Sequence, residues 1–194
     1  MRRRTADALL IAGGLVVAIM LVVAGGLLTW GHSFVTDQVR SQLSAQKIFF
    51  PPAGSPALDD PAVRPYLTQY AGQQLTTGAQ ARAYADHFIG VHLAKMTGGQ
   101  TYAQLSAQAQ AAPTDTKLAA EVATVFKGET LRGLLLNAYA FGTMGRLAGI
   151  AAISSFVGAG TLLVLCLLGV GHLRRTRPEE MVAVPGWHPE STTV

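Results

Sequence analysis

Residues 8–30 read ALLIAGGLVVAIMLVVAGGLLTW and residues 147–173 read LAGIAAISSFVGAGTLLVLCLLGVGHL, and neither stretch contains Asp, Glu, Lys or Arg. About 20 apolar residues in a helix cross the hydrocarbon core of a bilayer. Two such runs in a chain of 194 residues favour two membrane spans over buried helices of a soluble protein. The sequence therefore predicts an integral membrane protein whose first partner is the lipid bilayer.

A cleaved signal peptide is the alternative for the first run, because three arginines at positions 2–4 would suit its charged start. The apolar run is longer than the roughly 7–15 residues of a signal-peptide core, however, and no A-x-A cleavage site follows it. We therefore interpret residues 8–30 as a retained membrane anchor.

Arginines also predict the orientation, because positively charged flanks stay on the cytoplasmic side of a membrane. Arginines at 2–4 precede the first run, and arginines at 174, 175 and 177 follow the second. Both termini of this multi-pass membrane protein are therefore expected in the cytoplasm. The predicted segments are a cytoplasmic N-terminus (1–7), two transmembrane helices (8–30 and 147–173), an extracytoplasmic helical domain (31–146) and a cytoplasmic disordered tail (174–194).

The segment between the spans has nearly balanced charges, and much of the net charge of +4 comes from the membrane flanks. A nucleic-acid site needs a clustered basic face, and none is visible, so no nucleic-acid partner is expected. The single cysteine, Cys166, lies in the second run, so no disulfide framework is available and Cys166 is interpreted as a packing residue.

Hydrophobic spacing and cap residues predict an all-α architecture, in which two long antiparallel transmembrane helices extend into a small helical extracytoplasmic domain. Shorter helices are expected at about 61–75, beginning after Asp60 as N-cap, at 79–96, ending at Gly98, and at 101–111, capped by Thr101. A further helical stretch, 114–145, leads into the second span.

Small residues recur at four-residue spacings in and near the spans, where they allow helix backbones to approach closely. The alternative is that glycine is simply common in membrane helices. The predicted helix-packing residues are Gly14, Ala18, Gly145, Gly149, Ser154 and Gly158.

Histidines are the only candidates for a metal site. His87 and His92 are five residues apart, which separates them by about 140° on an α-helix, whereas helical ligand pairs use spacings of three or four. Distant partners such as Glu121 or Glu129 would be needed, so ordinary polar or packed histidines are the favoured interpretation. Serine-nucleophile and phosphate-loop motifs are also missing, and we predict no catalytic residue, no cofactor and no metal.

Aromatic side chains of the segment between the spans are interpreted either as its core or as a contact surface, with the core favoured. These residues are Phe49, Phe50, Tyr66, Tyr70, Tyr84 and Phe88.

Four strings of this segment resemble a family of uncharacterised actinobacterial two-span membrane proteins: FPPAGSPAL at 50–58, YAGQQLTTG at 70–78, YADHFI at 84–89 and GETLRGLLLNAY at 128–139. The resemblance implies an actinobacterial plasma membrane and an outer domain between two spans. Some relatives carry the label of an aromatic ring-opening dioxygenase, whose chemistry would need two histidines and a carboxylate around Fe(II). The spacing of His87 and His92 argues against that activity.

The predicted function is that of a non-enzymatic accessory or scaffold component, whose outer domain binds a membrane complex or envelope partner or forms a homo-oligomer. The alternatives are an extracytoplasmic sensor or binding module for a small ligand, and a metal-dependent enzyme. The absence of catalytic motifs favours the accessory or scaffold role over these alternatives.

Overall fold

A computed structural model describes residues 3–175, and all of the regular elements in this part of the chain are helices. Six α-helices follow one another: α1 (Arg3–Ala45), α2 (Arg64–Leu67), α3 (Gly78–Tyr84), α4 (Gly90–Thr97), α5 (Tyr102–Ala111) and α6 (Thr116–Arg175). A π-helical segment, Ala85–Ile89, joins α3 to α4, and 3₁₀ turns occupy Pro56–Leu58 and Thr68–Tyr70. The all-α prediction is confirmed here, whereas the predicted tail from 176 onward lies outside the described residues.

The two long helices, α1 and α6, contain the two apolar runs. Their most apolar 18-residue windows have mean hydropathies of 2.7 and 2.2. Only 11% of the residues in each window are buried, whereas the core helix of a soluble protein is mostly buried. The chain therefore has two helices that are long and apolar enough to cross a membrane.

The chain divides into two compact units, and the first, called the apolar unit, comprises residues 3–30 and 149–175 of the described chain. Seven of its α1 residues with reduced exposure recur at alternating spacings of four and three, with Ala6 and Ala24 beside two of them: Asp7, Ile11, Gly14, Ala18, Leu21, Gly25 and Leu28. A mean spacing of 3.5 residues is that of helices packed side by side with a slight left-handed twist. Ala18, Ala152 and Ala159 are its most buried apolar residues, at 1–4% exposure.

Larger side chains of one helix fill the gaps that small residues leave in the other. A Cβ atom built on Gly25 would lie 2.9 Å from the ring of Phe156, and one built on Gly14 would lie 2.9 Å from Sγ of Cys166. Close approach of this kind supplies the van der Waals contacts that hold helices together where the surroundings are equally apolar.

The second unit, Gly31–Ala148, is called the 31–148 unit. It has a core made mostly of large apolar side chains. Its core consists of Val39, Leu43, Phe50, Leu58, Val63, Leu67, Leu75, Ala81, Ala85 and Leu135. The loop after α1 is tied to the segment before α3 by backbone hydrogen bonds, from Phe50 N–H to Gln73 O (2.9 Å) and from Leu75 N–H to Ile48 O (2.8 Å). These bonds therefore hold Phe50 and Leu75, which both belong to the core, in place.

Side-chain caps define where the shorter helices begin and end. Thr77 and Gln80 form a reciprocal capping box at the start of α3, and Thr101 and Gln104 form another at the start of α5. Gly98 ends α4 with a left-handed φ of 60°, a conformation that costs glycine little. The predicted starts and stops of these two helical stretches are thus confirmed to within a residue or two.

The prediction of one helix over 61–75 is wrong. Helix α2 begins only at Arg64, is four residues long, and passes directly into a 3₁₀ turn. The cause is Pro65, which lacks an N–H and is tolerated only in the first turn of a helix. Asp60 instead accepts a hydrogen bond from Ala62 N–H (2.9 Å), which forms a local turn ahead of the helix.

Candidate functional site

The six aromatic residues considered as core or contact surface occupy different environments. Phe50 is in the core at 2% exposure, and Tyr70, Tyr84 and Phe88 pack against that core. Phe49 and Tyr66 are exposed, at 56% and 47%. Of the six, these two are the ones most accessible to a partner, and their role in contact remains a prediction.

A continuous series of ring contacts runs from the core to the surface. The Phe50 ring centroid lies 5.1 Å from that of Tyr70 and 5.4 Å from that of Tyr84, in tilted and edge-on arrangements that aromatic pairs prefer. Tyr84 in turn contacts Phe88 (4.8 Å), which contacts His92 (4.5 Å). Burial raises the pKa of the Tyr84 hydroxyl, as expected for a phenol held against apolar rings.

His87 lies in the π-helical segment, whereas His92 lies in the first turn of α4 just after it. The His87 ring stacks on Tyr66, with ring centroids 3.4 Å apart and planes 4° from parallel. The His92 ring nitrogen Nδ1 lies 2.7 Å from the carbonyl oxygen of Phe88, in the adjoining π-helical segment. Each histidine therefore has its own structural partner.

Carboxylates around this segment are engaged in ion pairs. Asp86 contacts Arg132 (3.2 Å) and Arg82 (3.7 Å), and Arg132 also contacts Glu129 (3.5 Å). Among residues 3–175, no group of three or more His, Cys, Asp and Glu side chains is arranged to hold a metal ion. The two-histidine, one-carboxylate site implied by the dioxygenase label is not assembled in this part of the chain.

The predicted helix-packing residues fall into both units. Gly14 and Ala18 lie on the packed face of α1, and Gly158 faces Leu21, since a Cβ atom built there would lie 3.4 Å from the leucine Cδ1. Ser154 is exposed, and its hydroxyl donates to the carbonyl oxygen of Ile150 in its own helix (3.0 Å). Gly149 is half-buried.

Gly145 lies in the 31–148 unit, where its missing side chain leaves room for α1. A Cβ atom on it would lie 3.2 Å from Cγ1 of Val35. The Gly145 carbonyl oxygen lies 2.7 Å from Nδ1 of His32, and because a carbonyl can only accept, this nitrogen carries the proton. A polar contact thus joins α1 to α6 within this unit.

A groove between α1 and α6 in the 31–148 unit is a candidate contact surface, because apolar side chains line it and no charge lies in it. It has a volume of about 370 Å³, and none of its lining residues is ionisable. Its lining comprises apolar side chains (Phe34, Val35, Val39, Leu43, Leu134, Ala138 and Phe141) and amides (Gln38, Gln42, Gln46 and Asn137). We call it the amide-edged groove.

Exposed apolar side chains border this groove. Phe34, Leu134 and Phe141 are 55–58% exposed, while Val39 and Leu43 beneath them belong to the core. Gln38 and Gln42 of α1 and Gln46 of the turn that follows it recur at four-residue spacings, so they follow one line, while Asn137 comes from α6. Sequence inspection missed this surface because Gln38, Gln42 and Gln46 are individually ordinary, although their regular spacing was a usable signal.

Comparisons with protein-family models, curated proteins and solved structures give no match to this chain. The resemblance to a two-span actinobacterial family therefore remains a prediction, and function must be inferred from the chain itself.

Proposed function

We propose that this chain is a two-span integral membrane protein that serves, without catalysis of its own, as an accessory or scaffold component binding another membrane protein. In this proposal both termini are cytoplasmic and the 31–148 unit is extracytoplasmic. The arginines that precede the first apolar run and those that follow the second support that orientation. The hydropathy of α1 and α6 supports membrane insertion.

Antiparallel pairing of the spans is part of the proposal. Residue numbers that rise along α1 face numbers that fall along α6: Ile11 is close to Gly169, Gly14 to Cys166, Leu21 to Gly158 and Gly25 to Phe156. This order of contacts supports two helices that run in opposite directions across one membrane.

A cross-link can test the pairing directly. A Gly14→Cys variant would place a second thiol beside Cys166, and mild oxidation in membranes should join the two within one chain. Gly13 has no atom within 4 Å of a Cβ built on it, so Gly13→Cys is the matched control. Mass spectrometry of the digested protein reads the link. Equal linkage of both variants, or none at Gly14→Cys, would disprove this pairing.

The amide-edged groove is the observation that carries the proposed function. It offers exposed aromatic and aliphatic side chains over an apolar floor, which is how grooves accept an amphipathic helix from another protein. Its lining carries no charge, so a charged occupant would lose hydration without gaining an ion pair. Its amides can donate and accept hydrogen bonds. We therefore assign it to an uncharged, largely apolar helical segment of a partner membrane protein.

Site-specific photo-cross-linking in native membranes tests this assignment. A photoreactive residue at Phe141 or Gln38 should capture one membrane protein, which would then co-purify with the unmodified chain in mild detergent. Capture of a second copy of this chain would instead establish a homo-oligomer, and capture of lipid alone would refute the protein-binding role.

Alanine variants supply the matched comparison. Leu134→Ala combined with Phe141→Ala should abolish co-purification, because exposed groove residues of this size contribute much of the binding free energy at such sites. Leu131→Ala combined with Met144→Ala removes exposed apolar groups outside the groove and should leave it intact. An equal loss in both pairs would locate the contact elsewhere.

A second candidate function, an extracytoplasmic sensor or binding module for a small ligand, is favoured by one observation. A separate cavity, lined by cationic and hydroxyl side chains, lies on the other side of α1. Its chemistry differs from that of the groove and is treated next.

A further inference from the structure

The second cavity of the 31–148 unit has a volume of about 310 Å³, at the lower end of the roughly 300–1,000 Å³ found for ligand pockets. Two of its walls are formed by α1 and α6, and most of the residues there have polar side chains: His32, Thr36, Arg40, Tyr139, Thr143 and Arg146. None of its lining residues is Asp or Glu. We call it the cationic cavity.

Arg40 and Arg146 give the cavity its charge. Neither makes an ion pair with a carboxylate among the described residues, whereas Arg82 and Arg132 of the same unit both contact Asp86. A guanidinium that lines a cavity without a carboxylate retains its donors for a bound anion.

His32 and Thr36 add hydrogen-bonding groups to the same side of α1. The His32 ring is oriented by the contact of its Nδ1 with the Gly145 carbonyl, which leaves Nε2 as an acceptor for a hydroxyl of a ligand. Thr36 follows one helical turn later and also lines the cavity. Histidine and threonine therefore complement the two arginines.

The lowered pKa of Tyr139 is consistent with positive charge in this region. Its phenol accepts a hydrogen bond from the Arg82 guanidinium at 2.9 Å. The pKa of Tyr139 is lowered by the hydroxyl of Thr143, then by Arg82, with a further contribution from Arg146. The region thus favours the negatively charged form of a group placed within it.

We propose that the cationic cavity binds a phosphate group, held by Arg40 and Arg146 and by a hydrogen bond from Thr36, while Nε2 of His32 can accept from a hydroxyl of the phosphate or of the molecule that carries it. Planar guanidinium groups match the oxygen pairs of phosphate, and a phosphate has more acceptor oxygens than a carboxylate for the additional donor. The group could come from the headgroup of an anionic phospholipid or from a soluble phosphate compound. This assignment deepens the second candidate function and is independent of the partner-binding groove.

Binding can be measured on the full chain purified in a maltoside detergent, which carries no phosphate. Inorganic phosphate and a short-chain phosphatidylglycerol are titrated separately by calorimetry, with acetate and a diacylglycerol as controls for the anion and the acyl chains. An Arg40→Gln/Arg146→Gln variant should weaken binding about a hundredfold, since one charged hydrogen-bonding partner is worth roughly tenfold or more.

An Arg64→Gln/Lys127→Gln variant is the matched control, because it removes two positive charges from exposed positions of the same unit outside the cavity. It should bind as the unmodified protein does. The unfolding temperatures of both variants show whether the fold is retained, and both altered pairs are exposed, so retention is expected.

The two probes distinguish the sources of the phosphate group. Binding of phosphatidylglycerol alone would identify a lipid headgroup site, binding of inorganic phosphate alone a site for soluble phosphate compounds, and binding of both a site for the phosphate group itself. Binding of neither probe, equal affinity for acetate, or unchanged binding by the Arg40→Gln/Arg146→Gln variant would overturn the proposal. None of these results depends on whether the groove captures a protein.

Discussion

The apolar unit and the 31–148 unit use the same two helices, α1 and α6, but bury different kinds of residue on them. In the apolar unit the most buried residues are alanines, and glycines face side chains of the opposite helix. In the 31–148 unit the buried apolar side chains of the same helices are Val39, Leu43, Val125 and Leu135, although Gly145 is also buried there. Large buried side chains are favoured where water drives apolar groups together, and small ones where lipid supplies no such drive. The difference accords with a membrane location for the first unit.

The largest expected effect is in the core of the 31–148 unit. Phe50→Ala should lower the free energy of unfolding by about 3–5 kcal/mol, because it removes a buried ring and leaves a cavity. The adjacent Phe49 is 56% exposed, so Phe49→Ala is the matched control and should cost about 1 kcal/mol or less. Denaturant unfolding in detergent, followed by circular dichroism, measures both. Similar values for the two would contradict the assigned core.

The next effect concerns a glycine that meets backbone rather than side chain. A Cβ atom on Gly78 would lie 3.0 Å from the Ala138 carbonyl oxygen and 3.1 Å from Cα of Tyr139. Gly78→Ala should therefore destabilise the 31–148 unit by about 1–3 kcal/mol, because backbone cannot rotate away. Gly133 has open space around it, so Gly133→Ala should be neutral or stabilising by up to about 1 kcal/mol. An unchanged free energy of unfolding for Gly78→Ala would show that α3 and α6 can move apart at little cost.

In the apolar unit, the corresponding change meets a side chain and should cost less. Gly25→Leu would displace the Phe156 ring, at about 1 kcal/mol if that ring can adopt another rotamer. Gly26 has nothing within 4 Å of its Cβ position, so Gly26→Leu is its control. Thermal unfolding in detergent compares the pair. A larger loss for Gly26→Leu would mean that the packed face is assigned incorrectly.

The smallest effect is expected at an exposed ion pair of the 31–148 unit. A hydrogen bond from Lys95, followed by one from the Ala62 N–H, lowers the pKa of Asp60 below its usual 3.8. The associated stabilisation is present above 3.8 and is lost as the pH falls through the lower value of the folded state. In Lys95→Met, the unfolding temperature should therefore fall slightly less on acidification than it does in the unmodified protein.

Lys117→Met is the control for that measurement, because Lys117 is exposed and makes no ion pair with a described residue. Unfolding temperatures between about pH 6 and 3 span the titration of a carboxyl group. If both variants kept the same pH dependence as the unmodified protein, Lys95 would not be the cause of the lowered pKa of Asp60.

Local signals predicted much of the helical structure. Thr101 and Gly98 mark helix ends through caps that involve only nearby residues, and these ends are where the sequence placed them. The prediction of a helix over 61–75 was wrong because Pro61 and Pro65 cannot both lie in the first turn of one helix. Helix α2 begins at Arg64, with Pro65 in its first turn. The π-helical segment at Ala85–Ile89 was also missed, since its additional residue is accommodated by contacts with α6, such as that of Asp86 with Arg132.

By itself, the sequence determined the all-α class, the two helices apolar enough to cross a membrane and the main cap positions, because each depends on composition or on neighbours a few residues apart. Only the tertiary structure decided that Phe50 is core while Phe49 is exposed. It also placed Gln38 beside the apolar floor of a groove and Arg40 in a cavity on the other side of the same helix. The physical reason is that burial and site formation depend on which distant helix covers each face of α1, and spacing along one helix does not specify that partner.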